Sequence, residues 1–568
     1  MTHQTSVGRG CRQTGARRRP SGGGVWGPAR LGPLALLLGA CLAASVPATA
    51  TAQGAAPAAA SPEALVAVRA FKVDGNTLLD AALLQSTLQA WLGERSLADL
   101  RQAAQAVQGL YTQAGYGAVV AYLPPQPVAN GTLTIAVVEG KVGRVSVQGA
   151  QRLSTARVRA ALPSLLEGQT PRLRRIDAEL QMANENPSRS IGVLLGPGSA
   201  PGLVEATVKV EEQALHRFSL GLDNSGNQRT GDYRLSLGWQ HADLSGHDDL
   251  FNLQLQTSPT EASAVTVISA GYRLPLVRHG AALELFAAYS DVDGGSQALP
   301  GSGGNLSFSG KGRIAGVRTV WYLARWGEYD QRLTTGLEYR AYLNNCGVNG
   351  LPSGACGTAG QSVSVQPLTL EYTAQTGGSS PAMVSVGLAH NLGLGGQHSA
   401  AADFDAVRPG AARRYTVLRL QGQIARPVLE DWQLAGRIAA QHSADRLVPG
   451  EQFGLGGAGS VRGYQERELA ADSGLSVAVE LVSPRQAWAG AAVDLRGLLF
   501  ADAGQVSNNG GLACLALRSR CSLAAWGVGA RIGWGTVQLR LSVAQARRDA
   551  SATLAGDWRA HVALNASF

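Results

Sequence analysis

The chain has 568 residues, with 49 Lys+Arg against 40 Asp+Glu and a formal net charge of +9. Six of those cations (Arg9, Arg12, Arg17, Arg18, Arg19 and Arg30) stand in the first 52 residues without one acid, so the remainder carries only +3 and gives no argument for a nucleic-acid partner. The 72 glycines disfavour a helical protein, and beyond the leader no apolar run reaches the length of a membrane-spanning helix.

Residues 1–52 read as a secretory signal peptide. The arginines precede an apolar run over 31–40, and Ala48-Thr49-Ala50 and Ala50-Thr51-Ala52 are both small-x-small cleavage sites. Leu38-Gly39-Ala40-Cys41 also has the form of a lipoprotein box, but cleavage near Ala52 leaves the more ordinary mature start. Residues 53–63, rich in Ala and Pro, form a short linker.

From 64 to 212 one pattern occurs twice. In the first copy, 64–139, a strand beginning at Val66 ends in the turn Asp74-Gly75-Asn76, and two helical stretches follow near 78–91 and 97–114. In the second of these, Leu97, Leu100, Ala104, Val107 and Leu110-Tyr111 recur at helical spacing. Strands near 118–123 and 132–139 close the copy. In the second copy, 140–212, a strand from Gly143 to Gly149 leads to helices near 154–162 and 173–185 and strands near 190–196 and 203–211. Strand, helix, helix, strand, strand is a small α+β unit with its helices on one face of a short sheet.

From 213 to 568 helical periodicity stops. Sixteen segments of about ten residues alternate with period two, the first near 216–224 and the last near 557–567. Connections after even-numbered segments are short, as at 275–280, 325–329 and 534–535. Those after odd ones are often long, as at 292–311, 344–362, 393–412, 444–473 and 504–523. Short turns on one side and long loops on the other identify an outer-membrane β-barrel, and an even strand number closes it without a free edge. In the last segment the even positions from Trp558 are Trp, Ala, Val, Leu, Ala and Phe, while the odd ones are Arg, His, Ala, Asn and Ser. One face suits lipid and the other a polar lumen, and the terminal Phe568 suits an assembly signal.

Cys346 and Cys356 stand ten apart and Cys514 and Cys521 seven apart, each pair in a Gly-rich loop. In an exported protein both read as local disulfides; neither is a CxxC, and no His cluster accompanies them. His241, Asp243, His247, Asp248 and Asp249 admit a metal site, but a solvated turn between strands is the preferred reading. Gly454-Leu-Gly-Gly-Ala-Gly459 satisfies GxGxxG without the strand before it and helix after it that a dinucleotide needs. With no HExxH, GxSxG or P-loop, the expectation is a non-enzyme with no cofactor and no metal.

The long connection 444–473 contains Val461-Arg462-Gly463-Tyr464, and a later segment contains Phe500-Ala501-Asp502-Ala503-Gly504. Together with Gly115-Tyr116, Tyr122-Leu-Pro-Pro-Gln126, Asn130-Gly-Thr-Leu and Val137-Val-Glu-Gly140 in the first unit, and Asn184-Glu-Asn-Pro187, Leu195-Gly-Pro-Gly198 and Val208-Lys-Val-Glu211 in the second, these resemble two-partner secretion transporters. That family comprises the haemolysin activator/secretion proteins of the outer-membrane translocase superfamily. The resemblance covers nearly the whole chain after the leader. It implies two small α+β POTRA domains followed by a 16-stranded antiparallel transmembrane β-barrel, with loop 444–473 folded inward and Arg462 paired to Asp502. Val461, Arg462, Gly463 and Tyr464 are then a pore-loop latch, and Phe500, Asp502 and Gly504 its partner on the barrel wall. A guanidinium fork suits a bidentate carboxylate, and Gly457, Gly459 and Gly463 would permit the tight hairpin. The implied function is an outer-membrane translocation pore with its POTRA domains in the periplasm. There it would bind a large, unfolded, β-rich exported partner and pass it outward without ATP. The alternative is an insertase for other barrels, which usually carries more POTRA units. A monomer is expected, surrounded by outer-membrane lipid and inserted by the barrel assembly machinery. Unlike some relatives, this sequence leaves no room for a long plug helix ahead of the first POTRA strand.

Overall fold

The computed structural model describes residues 65–127, 130–227, 230–298, 305–344, 358, 361–488 and 493–568. The leader, the linker, Cys346 and Cys356 lie outside the described residues.

The first unit begins with β1 (Val66–Val68), β2 (Ala70–Asp74), α1 (Ala81–Leu88) and β3 (Gly93–Arg95), and continues with α2 (Leu97–Gln113), β4 (Val119–Tyr122) and β5 (Thr132–Glu139). Strand β2 runs parallel to β5, and β4 antiparallel to it, in the order β2-β5-β4. Ser96 and Asp99 form a reciprocal capping box that starts α2. Leu100, Ala104, Val107 and Tyr111 pack on Phe71, Leu133, Ile135 and Val137. Leu97, counted on the same stripe, lies at the first helical position and is 49% exposed.

Glu139, at the end of β5, ties this unit together. It accepts from the Thr77 amide (2.8 Å), the Leu78 amide (3.0 Å) and the Tyr111 hydroxyl (3.0 Å). Burial pushes the carboxyl up, but the hydrogen bonds from Thr77, Tyr111 and Leu78 outweigh it and hold Glu139 below the usual range. A depressed folded-state value adds stability above the unfolded value, and that stability is lost as pH falls through the folded one. Protection of the Thr77 and Leu78 amides, corrected for intrinsic exchange, should therefore hold down to about pH 4.5 and fall as pH drops further. Unchanged protection would show that Glu139 does not hold this turn.

The second unit repeats the topology, with β6 (Lys141–Gln148), α3 (Thr155–Ala160), α4 (Leu173–Ala183), β7 (Arg189–Pro197) and β8 (Leu203–Glu212) in the sheet order β6-β8-β7. Again the first strand is parallel to the last.

The barrel strands follow. They are β9 (His216–Asp223), β10 (Arg234–Ala242), β11 (Leu250–Thr257), β12 (Thr266–Leu276), β13 (Ala281–Ala298), β14 (Asn305–Trp326), β15 (Tyr329–Leu343) and β16 (Val363–Val365 with Pro367–Thr376). Then come β17 (Ala382–Asn391), β18 (Thr416–Val428), β19 (Trp432–His442), β20 (Ser473–Val482 with Gln486–Trp488), β21 (Val493–Ser507), β22 (Arg520–Trp534), β23 (Val537–Ala546) and β24 (Trp558–Ser567). All sixteen pair antiparallel with their neighbours, and β24 closes on β9. Phe568 extends that seam, exchanging both backbone hydrogen bonds with Phe218 at 2.9 and 3.0 Å.

Alternation sets the two faces. Val384, Val386 and Leu388 on β17 and Val477 and Val479 on β20 are exposed outward, as an apolar belt against lipid requires. Trp432 and Trp534 mark the short-turn rim, and the edge-to-face pair Trp526–Trp558 (5.9 Å) lies toward the other. On β24, His561, Ala563 and Asn565 line the lumen.

Two expectations need correction. The connection 292–311 is not a long loop, because β13 and β14 continue as a ladder to Ala298↔Asn305 with a bulge between Val292 and Gly295. An antiparallel ladder needs only backbone groups, so a Gly- and Ser-rich sequence does not stop it. Nor is the turn 243–249 merely solvated. Asp243 accepts both terminal nitrogens of Arg157 at 2.9 Å, and Asp248 accepts from Arg157 (3.1 Å) and Arg189 (2.7 Å). The bond from the Arg157 guanidinium holds the Asp243 carboxyl below its usual range. Met182 of α4 packs against Ala282, Val320 and Tyr322 beside this turn. The acids dock the second unit on the barrel rim. Replacing Arg189, whose side chain is 3% exposed, by Ala should raise amide exchange across 243–249. Unchanged exchange would make this contact dispensable.

Candidate functional site

Loop 444–473 leaves β19 and turns into the lumen. Its ends approach in a short hairpin, Phe453–Leu455 with Leu469–Ala471. Gly456 (φ +112°), Gly457 (φ +97°) and Gly463 (φ +92°) take conformations that side chains rarely adopt. Gly459, expected to share that role, is not among the positive-φ glycines; Gly456, next to Gly457, takes it instead.

The tip is pinned by Arg462. Its Nε and Nη2 donate to the two Asp502 oxygens at 2.7 and 2.8 Å, and its backbone amide donates to the same carboxylate at 3.0 Å. The remaining Nη1 donates to Glu480 on β20 at 2.7 Å. The guanidinium plane lies over the Phe500 ring, 3.4 Å from its centroid, adding a cation–π contact. Arg531 closes the cluster through the other Glu480 oxygen. Arg437 also stands 3.8 Å from Glu480, so two carboxylates and three guanidiniums share the cluster, and neither acid is left as a bare charge in the wall.

The neighbouring residues fix the loop's depth. Val461 and Tyr464 are fully buried among Leu498, Leu523, Ala544 and Ala546. The Tyr464 hydroxyl donates to the backbone carbonyls of Ala524 (3.0 Å) and Arg548 (2.9 Å), either of which its single proton can serve, and accepts from the Arg548 amide (3.1 Å). The Gly463 amide donates to His561 Nε2 at 3.0 Å, and a Cβ at this glycine would press on Ala544 at 3.3 Å. Gly504 serves by being small, since a Cβ there would fall 2.4 Å from Leu455 Cδ1.

The base of the loop is held on other strands. Glu451, side chain fully buried, accepts from Arg340 on β15 (2.9 Å), the Tyr342 hydroxyl (2.7 Å) and Arg419 on β18 (3.3 Å). Arg340 also reaches Glu338 at 2.7 Å, and Glu338 takes Arg318 of β14 at 2.7 Å. The loop therefore spans the lumen, from β14–β18 at its base to β20–β24 at its tip. Beneath it lies a cavity of about 1030 Å³ lined by Arg437, Arg531, Arg540 and His561.

The structure brings Val461, Arg462, Gly463, Tyr464, Phe500, Asp502 and Gly504 together. Cys514, in the loop after β21, is bonded to Cys521 at the start of β22, and the pair borders the apolar cluster that holds Val461 and Tyr464; Phe568 is at the barrel seam. Among the described residues no group of His, Cys, Asp or Glu could hold a metal ion. Sequence reasoning missed Glu480, His561 and Glu451. Glu480 was detectable as a lone acid at an inward position of an apolar strand, directly across from Phe500. His561 carried its inward position in the alternation of the last strand but not its partner, and Glu451 carried no such signal.

Small α+β units ahead of a closed sixteen-stranded barrel, with an arginine-pinned loop inside it, define the POTRA–barrel class of outer-membrane transporters. Within that class the chain belongs to the haemolysin secretion/activation protein family ShlB/FhaC/HecB, whose model matches residues 205–532; residues 66–140 match the ShlB-type POTRA domain. It is 28% identical over 177 residues to the heme/hemopexin transporter protein HuxB of Haemophilus influenzae, covering 31% of each chain. It is 25% identical over 413 residues to the outer membrane transporter CdiB of Escherichia coli, covering 71% of this chain and 66% of that one. The solved CdiB structures from Escherichia coli (TM-score 0.73, 20% identity, 90% of this chain and 92% of that one) and Acinetobacter baumannii (0.67, 18%, 89% and 90%) share its fold. The protein resides in the outer membrane, with its POTRA region in the periplasm.

Proposed function

We propose that this chain is a secretion pore. It takes an unfolded, β-rich exported partner in the periplasm through its POTRA units and passes it to the cell surface without ATP. The observation that carries this reading is the loop spanning the lumen, pinned at its tip by Arg462, Asp502 and Glu480. A barrel that holds a long loop across its own bore by buried, reversible polar contacts is built as a conduit with an internal obstacle. The family's relatives are named as transporters, which supports the same direction. Strands β2 and β4 of the first unit, and β6 and β7 of the second, are sheet edges able to accept an extended segment by backbone pairing. Folding of the cargo outside can supply the drive. We propose the unit bounds 64–139 and 140–212 for these two binding modules, with Val461, Arg462, Gly463 and Tyr464 as the latch and Phe500, Asp502 and Gly504 as its seat.

The test is deletion of the gene followed by comparison of surface and periplasmic proteins. One large exported protein should accumulate in the periplasm. A general fall in outer-membrane proteins would instead identify an insertase, and no change in either would sink the secretion reading.

A further inference from the structure

The long connection 392–415, between β17 and β18, contains a short helix, α5 (Ala401–Val407). Phe404 is fully buried and Val407 nearly so, although they belong to a loop on the long-loop side of the barrel. Their cluster includes Tyr342, Val363, Val365, Val417 and Leu447. These neighbours are inward-facing. Val365 and Val363 pair with Arg340 and Tyr342, which bind Glu451 in the lumen, and directly paired residues share a face. Val417 lies two residues from Arg419, which also reaches Glu451. Helix α5 thus lies inside the mouth of the barrel, not over its lipid face.

The chain around α5 is drawn in by polar contacts. Strand β16 breaks at Gln366, whose backbone amide donates to the Asn391 side chain and whose carbonyl accepts from Leu392. Ser364 donates from its amide to the His398 carbonyl (2.7 Å) and from its hydroxyl to the Gln397 carbonyl (2.6 Å). At the far end of the helix Arg408 donates to the Leu447 carbonyl (2.5 Å), to both oxygens of Asp472 and to Asn508 (2.9 Å). Asp472, with no exposed surface, also accepts from the Leu447 amide (2.9 Å) and the Asn509 amide (2.9 Å). Leu447 and Asp472 are the two ends of the inward loop. One arginine therefore joins α5 to both of them.

We infer that connection 392–415 is a lid that closes the outer mouth of the pore, fastened by Arg408 to the two ends of the inward loop, so that displacement of that loop releases the lid. The inference rests on the secretion reading only for the purpose of opening; the seal itself is a property of the resting barrel. It also supplies a closure that does not need a plug helix ahead of the first POTRA strand.

The test uses the purified full chain in planar lipid bilayers. Three variants are compared with the parent: Arg408→Ala, Phe404→Ala with Val407→Ala, and a chain in which 396–410 is replaced by a Gly/Ser linker. Heat-modifiable migration identifies those that fold. Resting conductance should rise several-fold in the linker chain and less in Arg408→Ala, and cells carrying them should become sensitive to large hydrophilic antibiotics. If the folded linker chain conducts no more than the parent, the lid does not seal the pore and the inference falls. Secretion of a co-expressed partner is scored separately. Lost secretion in the parent overturns the proposed function alone, whereas raised conductance in the variants still supports the lid.

Discussion

Arg462→Ala should abolish most secretion while the barrel still inserts. Asp502 is 2% exposed and spends both oxygens on this arginine, and Glu480 loses one of its guanidinium partners while keeping Arg531. Breaking one side of such a buried pair costs about 3–5 kcal/mol. That is large beside the neutral hydrogen bonds of Gly463 and Tyr464 that also hold the tip, and small against the continuous ladder of sixteen strands that closes the wall. The loop should therefore leave its seat before the barrel fails. Arg462→Lys is expected to rescue only in part, because an ammonium cannot fork to Asp502 and reach Glu480 at once. The measurements are partner protein at the cell surface, heat-modifiability of the barrel, and labelling of a cysteine placed at Ala458. Wild-type secretion by correctly inserted Arg462→Ala would remove the latch from the mechanism.

Glu451→Ala should have the second largest effect, from the opposite wall. It removes the shared acceptor of Arg340, Tyr342 and Arg419. Arg340 keeps Glu338 and Arg419 keeps Gln441 (3.1 Å), so the cost falls toward the lower end of about 3–5 kcal/mol. Glu451→Gln retains an acceptor for Tyr342 and should be milder. A double-mutant cycle with Arg340→Ala measures the coupling directly. A coupling energy near zero would show that the base of the loop is held by its hairpin and not by this carboxylate. If both predictions hold, the loop is strapped at two points, and transport requires releasing at least one.

A third substitution separates packing from charge. Gly504→Val places branched carbons where Leu455 Cδ1 and the Leu475 carbonyl already stand, at 2.4 and 2.9 Å from a Cβ. With no charge altered, it should lower barrel stability and loosen the loop's hairpin, read as a lower unfolding temperature and greater protease access to 453–471. Unchanged values would mean that the loop yields there freely.

The extent to which the fold was legible varied with the kind of information each element needs. The barrel was legible because lipid outside and a polar lumen inside impose period two on every strand, and because turn and loop lengths alternate with the side of the membrane. The boundary at Val292 was misplaced because ladder continuation depends on the facing strand and not on local composition. Local sequence makes Asp243 and Asp248 look solvated because their partners, Arg157 and Arg189, lie 86 and 59 residues away. The pairing of Arg462 with Asp502 followed from family resemblance; the residues alone showed only an arginine in a Gly-rich loop.

What the sequence by itself determined is the set of patterns that local physics enforces: the repeated strand–helix–helix–strand–strand order, and sixteen alternating segments with long and short connections. Only the tertiary structure decided which inward-facing groups meet. Glu480 joins Arg462 because β20 lies beside β21, Glu451 finds three donors because the loop crosses the lumen, and α5 enters the mouth because β16 breaks at Gln366. Each depends on chain segments far apart in sequence and brought to one side of a closed wall. Periodicity specifies which face a side chain takes, and closure of the barrel specifies its partner.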